Sequence, residues 1–135
     1  MTDPIQEILT TTRRIAVVGA SSNPSRASNY VLAFLAARGF DVVGVNPGLA
    51  GQTLHGRPIV ATLDEAGPLD MVDVFRAPDQ VPPIVAEAIR LHARTIWLQL
   101  GVTNPAAEAA ARAAGLRVVA DRCPLIEWRR LHLPT

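Results

Sequence analysis

Apolar residues in this chain fall into short unbroken runs, and the stretches between them carry their apolar residues at helical spacing. The runs Ile15–Val18, Asp41–Val45, Met71–Phe75, Thr95–Gln99 and Arg117–Ala120 predict strands buried on both faces. Ile5, Ile8 and Leu9 predict a short amphipathic lead-in helix over residues 4–12. Val31, Phe34 and Leu35 line one face of a second helix, and Ile84, Ala88 and Leu91 one face of a third. Asn104-Pro105 supplies an N-cap and a proline at the first helical position, opening an alanine-rich helix. Gly39 and Gly115 are helix stops, Thr62 caps one or two turns over Leu63–Ala66, and Asp79 caps the helix that holds Pro82 and Pro83 in its first turn. Gly51–Arg57 reads as irregular, Pro58-Ile59-Val60 as a short extended piece, and Asp121–Leu133 as a partly helical end.

Strands that alternate with helices and are themselves continuously apolar indicate a parallel sheet covered on both faces. The expected fold is therefore α/β, a Rossmann-like doubly wound parallel sheet of about five strands with helices on both faces. Right-handed crossovers leave few topologies, and the order 3-2-1-4-5, counting the five runs, is the one expected. The 135 residues suit a single domain spanning 1–135, with 1–12 as its lead-in; no repeat, low-complexity segment or linker divides them.

Composition changes this picture little. Hydrophobic residues at 49% and charged ones at 19% fit an ordered globule, and a net charge of +1 lacks the electrostatic footprint of a nucleic-acid binder. All 13 basic residues are arginine, a side chain suited to bidentate phosphate contacts. One cysteine, Cys123, excludes an intramolecular disulfide and fits a reducing compartment. Residues 1–14 lack the basic-then-apolar order of a signal peptide, and the apolar stretch Tyr30–Ala37 is too short to span a bilayer. The expectation is a cytoplasmic protein without a membrane or nucleic-acid partner.

In such a sheet, ligands bind beyond the carboxyl ends of the strands, at the switch point, which the expected order places between the first and fourth runs. Segments 19–26, 46–51, 76–79, 99–103 and 121–124 meet there. Gly19, Ala20, Ser21 and Ser22 are small enough for a ligand to approach the backbone, and the next helix turns its N–H groups and positive dipole end to that space. Ser21, Ser22, Asn23 and Ser25 add donors and Arg26 a charge, so the loop reads as a phosphate site; the plainer alternative is a tight turn that binds nothing. The nicotinamide fingerprint G-x-G-x-x-G is missing, because Gly19 is the sole glycine of residues 19–26. An NAD site also needs an acid at the end of the second strand, where Asn46 stands, and NADP a nearby arginine, absent between Asn46 and Gly56.

The run Ile15-Ala16-Val17-Val18-Gly19-Ala20-Ser21 resembles small stand-alone proteins of the CoA-binding domain family. So do Val45-Asn46-Pro47, Asp73-Val74-Phe75-Arg76, Trp97-Leu98-Gln99-Leu100-Gly101-Val102 and Asp121-Arg122-Cys123. These are similar in turn to the N-terminal domain of the succinyl-CoA synthetase α subunit. The resemblance covers roughly residues 13–132 and rests on several motifs in order. It implies a Rossmann-like domain whose first loop, Gly19–Arg26, holds the phosphates of coenzyme A. By position, Asn46-Pro47 would match the turn beside the adenosine, while Ala77-Pro78 and Leu98-Gln99-Leu100 would match the pocket edges. The family often has a lysine just after the Asn-Pro turn; this chain has Gly48 and Leu49, leaving Arg26 and Arg76 as candidate replacements.

The synthetase's phosphorylated histidine belongs to a second domain that has no counterpart here. His55, His92 and His132 are scattered, without metal-ligand or acid–base spacing, and read as surface or structural residues. Cys123, near Arg122, reads as a structural cysteine rather than a nucleophile, since Glu127 is a poor base for a thiol. Trp97 reads as core, and Trp128 beside Arg129 and Arg130 as a solvated helix edge or a dimer face. The expected function is non-catalytic binding of coenzyme A or an acyl-CoA, as a carrier, sensor or regulatory protein, with a protein partner or homodimer conceivable. The alternatives are an NAD(P)-dependent oxidoreductase and an interaction module with an empty pocket.

Overall fold

The computed structural model describes residues 3–134. Its elements are α1 (Pro4–Thr11), β1 (Arg14–Val18), α2 (Ala27–Ala37), β2 (Asp41–Val45), β3 (Thr53–Leu54), β4 (Arg57–Val60), α3 (Leu63–Ala66), β5 (Met71–Val74), α4 (Val81–Arg90), β6 (Thr95–Leu98), α5 (Pro105–Ala113), β7 (Arg117–Val119) and α6 (Pro124–Arg130). Helix ends follow the side chains expected of them. Thr62 caps α3, and Asn104 caps α5 by accepting from the Ala107 N–H at 3.1 Å while Glu108 reaches back to the Asn104 N–H.

The strands form one sheet in the order β3-β4-β2-β1-β5-β6-β7, parallel throughout except for β3, which runs antiparallel to β4. Class and doubly wound character match the expectation, but the strand order differs from 3-2-1-4-5. Met71–Val74 does not lie outside the second strand; it pairs with β1, Val17 opposite Asp73. The place beyond β2 belongs to Arg57–Val60, with Gly44 opposite Ile59 and Val45 opposite Val60. That strand buries only Ile59 and contains a proline, so it has no continuous apolar run to announce it. The chain thus winds outward from β1 through β2 to β4, crosses back to β5, and continues to β7. The switch point falls between β1 and β5, not between the first and fourth runs.

Each strand alternates its side chains between two cores. Ile15, Val17, Met71 and Trp97 pack with α1, α2 and α6, whereas Ala16, Val18, Val72, Val74, Ile96 and Leu98 pack with α3, α4 and α5. In α4 the buried stripe is Val81, Val85 and Ala88, set by the helix start, and Ile84 and Leu91 stay half-buried at its sides. Asp79 does not cap this helix: it lies within the 3-10 turn Pro78–Gln80, and Gln80 occupies the N-cap without a side-chain bond. Trp97 is core, its Nε1 donating to the Arg122 carbonyl at 2.8 Å. Trp128 is buried too, neither solvated edge nor dimer face. It meets Phe34 and Phe40 edge-on, at 6.3 and 5.8 Å between centroids, and donates through Nε1 to the Pro134 carbonyl.

Candidate functional site

The loop after β1 begins with a glycine that nothing else can replace without strain. Gly19 has φ +92°, and a Cβ there would lie 2.8 Å from the Phe75 carbonyl oxygen, so its bareness lets β1 and β5 close together at the switch point. The N–H groups of Gly19 and Ala20 both turn to the Val45 carbonyl and are spent within the sheet. The next two carbonyls are tied back by asparagines. Asn46 donates from Nδ2 to the Ala20 carbonyl at 2.7 Å, and Asn29 from Nδ2 to the Ser21 carbonyl at 2.8 Å. In a trans peptide the following N–H points opposite to the C=O, so these bonds aim the Ser21 and Ser22 N–H groups away from the two asparagines.

Those two N–H groups, and those of Ala27 and Ser28 in the first turn of α2, have no hydrogen-bond partner among the described residues. Arg26 stands at the N-cap of α2 and makes no side-chain cap bond. The helix therefore offers open donors and its positive dipole end to the space above the loop.

Two clefts flank Gly19 and Arg76. The first, of about 460 Å³, is lined by Gly19, Ala20, Ser21, Arg26, Ala27, Ser28, Asn46, Phe75, Arg76, Gln99, Leu100 and Val102. The second, of about 260 Å³, is largely apolar, with Val18, Val45, Pro47, Leu63, Pro83 and Ile84 in its wall. Of the residues expected at the site, Gly19, Ala20, Ser21, Arg26, Asn46, Arg76, Gln99 and Leu100 come together in the first cleft and Pro47 lies in the second. Ser22, Asn23, Ser25 and Pro78 line neither. Asn23 accepts from both the N–H and the hydroxyl of Ser25, which makes these two the brace of the loop, and the Pro78 carbonyl accepts from Asn104. Asn46 has both ends of its amide engaged, Nδ2 with the Ala20 carbonyl and Oδ1 with the Gly48 N–H, so it braces the loop.

Arg26 and Arg76 are exposed, and neither pairs with a carboxylate among the described residues. Gln99 is 5% exposed, and its Oε1 is a buried acceptor without a partner among the described residues. One strand over, Asp73 is wholly buried, and neither of its carboxyl oxygens has a partner; burial pushes this carboxyl well above its ordinary value. Cys123 is buried, and Cys123 and the histidines line neither cleft. Ser28, Asn29, Gln80 and Glu87 were not singled out from the sequence. Ser28 and Asn29 did carry a signal, two polar residues on the buried side of an otherwise apolar helix.

The sequence profile of the family described as the CoA binding domain matches residues 13–129. The chain belongs to the CoA-binding domain family. It is 34% identical over 119 residues to the protein YneT of Bacillus subtilis (strain 168), covering 88% of this chain and 87% of that one. A solved Thermus thermophilus structure, cell-free ID.343, is 39% identical with TM-score 0.91, covering 97% of this chain and 99% of its own. A hypothetical protein from Pyrococcus horikoshii OT3 is 37% identical with TM-score 0.90, over 98% of this chain and 93% of its own. The fold is thus shared with these solved structures over nearly the full length of the chain.

Proposed function

We propose that this protein binds coenzyme A, or an acyl-CoA, through its phosphates at the loop after β1, and acts as a carrier, sensor or regulatory protein rather than an enzyme. The observation that carries this reading is the convergence of open N–H groups at Ser21, Ala27 and Ser28 with the unpaired Arg26 and Arg76 around one cleft. That is a donor and cation set for a polyanion. Family membership favours coenzyme A as that polyanion. Gln99 fits it as well, because its orphaned Oε1 requires an N–H or O–H, and coenzyme A carries amides, an exocyclic amine and hydroxyls. The apolar cleft beyond Gly19 suits an uncharged portion of the same ligand.

The side chains around the first cleft hold and orient; Ser21, Ser28, Asn46, Gln99 and the two arginines include no proton-transfer group matched to neutral pH. Asn46, at the end of β2 with both amide ends engaged, offers no carboxylate to a dinucleotide ribose. Thermal unfolding in the presence of coenzyme A, acetyl-CoA, NAD, NADP and ATP tests the reading. The two CoA species should raise the apparent melting temperature and the nicotinamide cofactors should not. Acetyl-CoA incubated with the protein should release no free thiol. Stabilisation by NAD alone, or thiol release that follows the purified protein, would overturn it.

A further inference from the structure

The β3–β4 hairpin carries at its turn a histidine whose side chain reaches a different element. Leu54 pairs with Arg57, so His55 and Gly56 make a two-residue turn, with φ +50° and +77°. Two consecutive positive-φ residues form the turn that suits a hairpin's twist, and its first central position favours asparagine, aspartate or glycine. A histidine there is tolerated at positive φ, and its side chain has a specific destination. The His55 ring reaches α2, where Nε2 lies 2.8 Å from Oδ1 of Asn29. Asn29 is 4% exposed, and its Nδ2 holds the Ser21 carbonyl.

The direction of this chain of bonds follows from its far end. A carbonyl only accepts, so the amide nitrogen of Asn29 must face Ser21 and its oxygen must face His55, which makes His55 Nε2 the donor. The hairpin thereby holds Asn29, Asn29 holds the Ser21 carbonyl, and the Ser22 N–H in that same peptide plane points the other way.

We propose that His55 is a positioning residue for the anion-binding loop, acting through Asn29 to hold the Ser21–Ser22 peptide beside the cleft that Ser21 lines. This rests on the reading of that loop as the phosphate site for coenzyme A. His55 itself lines neither cleft, so its effect on binding is transmitted and not made by contact.

The test separates reach from turn strain. His55→Asn keeps a residue suited to positive φ but is too short to reach Asn29, whereas His55→Gln retains a long N–H donor. Affinity for coenzyme A, by calorimetry, should fall roughly three- to tenfold in His55→Asn, the loss of one ordinary hydrogen bond, and recover in His55→Gln. In the ligand-free protein, amide exchange should quicken at Ser21–Asn23 in His55→Asn while the β1 amides keep their protection. Unchanged affinity with unchanged loop exchange would overturn the proposal, as would faster exchange across the whole sheet with affinity preserved. Failure of the wild type to bind coenzyme A would instead remove the functional reading, and the exchange measurement would still decide whether His55 positions the loop.

Discussion

Asp73→Asn is expected to flatten the pH dependence of folding stability, so that the mutant's stability relative to the wild type rises steadily from acid to neutral pH. Asp73 sits on β5 between Val17 and Trp97, with no exposed surface and no partner for either oxygen among the described residues. Burial raises its folded carboxyl far above the unfolded value, with no neighbouring cation to offset the effect. Below the unfolded carboxyl's pKa of about 3.9 both states hold the proton and the group contributes its full stability. Above that, the unfolded chain ionises while the folded one keeps its proton. Stability then falls by up to about 1.4 kcal/mol per pH unit until the folded carboxyl itself ionises. Asparagine matches the protonated acid in shape, carries two N–H donors to its one, and has no proton to lose, so the difference between the two proteins should be constant in acid and move in the mutant's favour as pH rises. Urea unfolding of both from about pH 5 to about pH 8 reads this directly. Parallel curves would show that Asp73 is ionised in the folded protein.

Arg26→Ala should weaken coenzyme A binding by about 1.5–3 kcal/mol, the range for a hydrogen bond to a charged group. Arg26 lines the first cleft at the start of α2, has no carboxylate partner among the described residues, and can grip a phosphate with two parallel bonds. The turn after β2 offers no cation, since Gly48 and Leu49 stand there. Arg76 is the other arginine in the cleft, but its stem lies along Gly19, so its removal would disturb packing as well as charge. Folding stability should barely change in Arg26→Ala, because an exposed arginine contributes little to it. The difference between mutant and wild type should shrink as salt rises. Equal affinities at low salt would mean that the phosphates rest on backbone and hydroxyl donors alone.

The central strands were legible because a parallel sheet buried on both faces demands continuous apolar runs, and Ile15–Val18, Met71–Val74 and Thr95–Leu98 supply them. Arg57–Val60 was legible only as the short extended piece Pro58-Ile59-Val60, since Pro58 and the exposed hairpin side interrupt its pattern, and without it in the strand count the order was misread. Trp128 was misjudged from its neighbours Arg129 and Arg130; its burial depends on Phe34 and Phe40, contacts distant in sequence. The loop itself was visible in its small residues and position after β1. Which of its groups face a ligand was not, because Asn29 and Asn46 acquire their partners only when α2 and β2 come alongside. The proposal of coenzyme A as ligand rests on the family motifs, not on any local spacing.

Titration calorimetry of the wild-type protein with coenzyme A and with NAD tests the account most directly. Open N–H groups, two unpaired arginines and an Asn46 with no carboxylate to offer predict that coenzyme A binds and that NAD binds clearly more weakly. NAD binding more tightly than coenzyme A would contradict it.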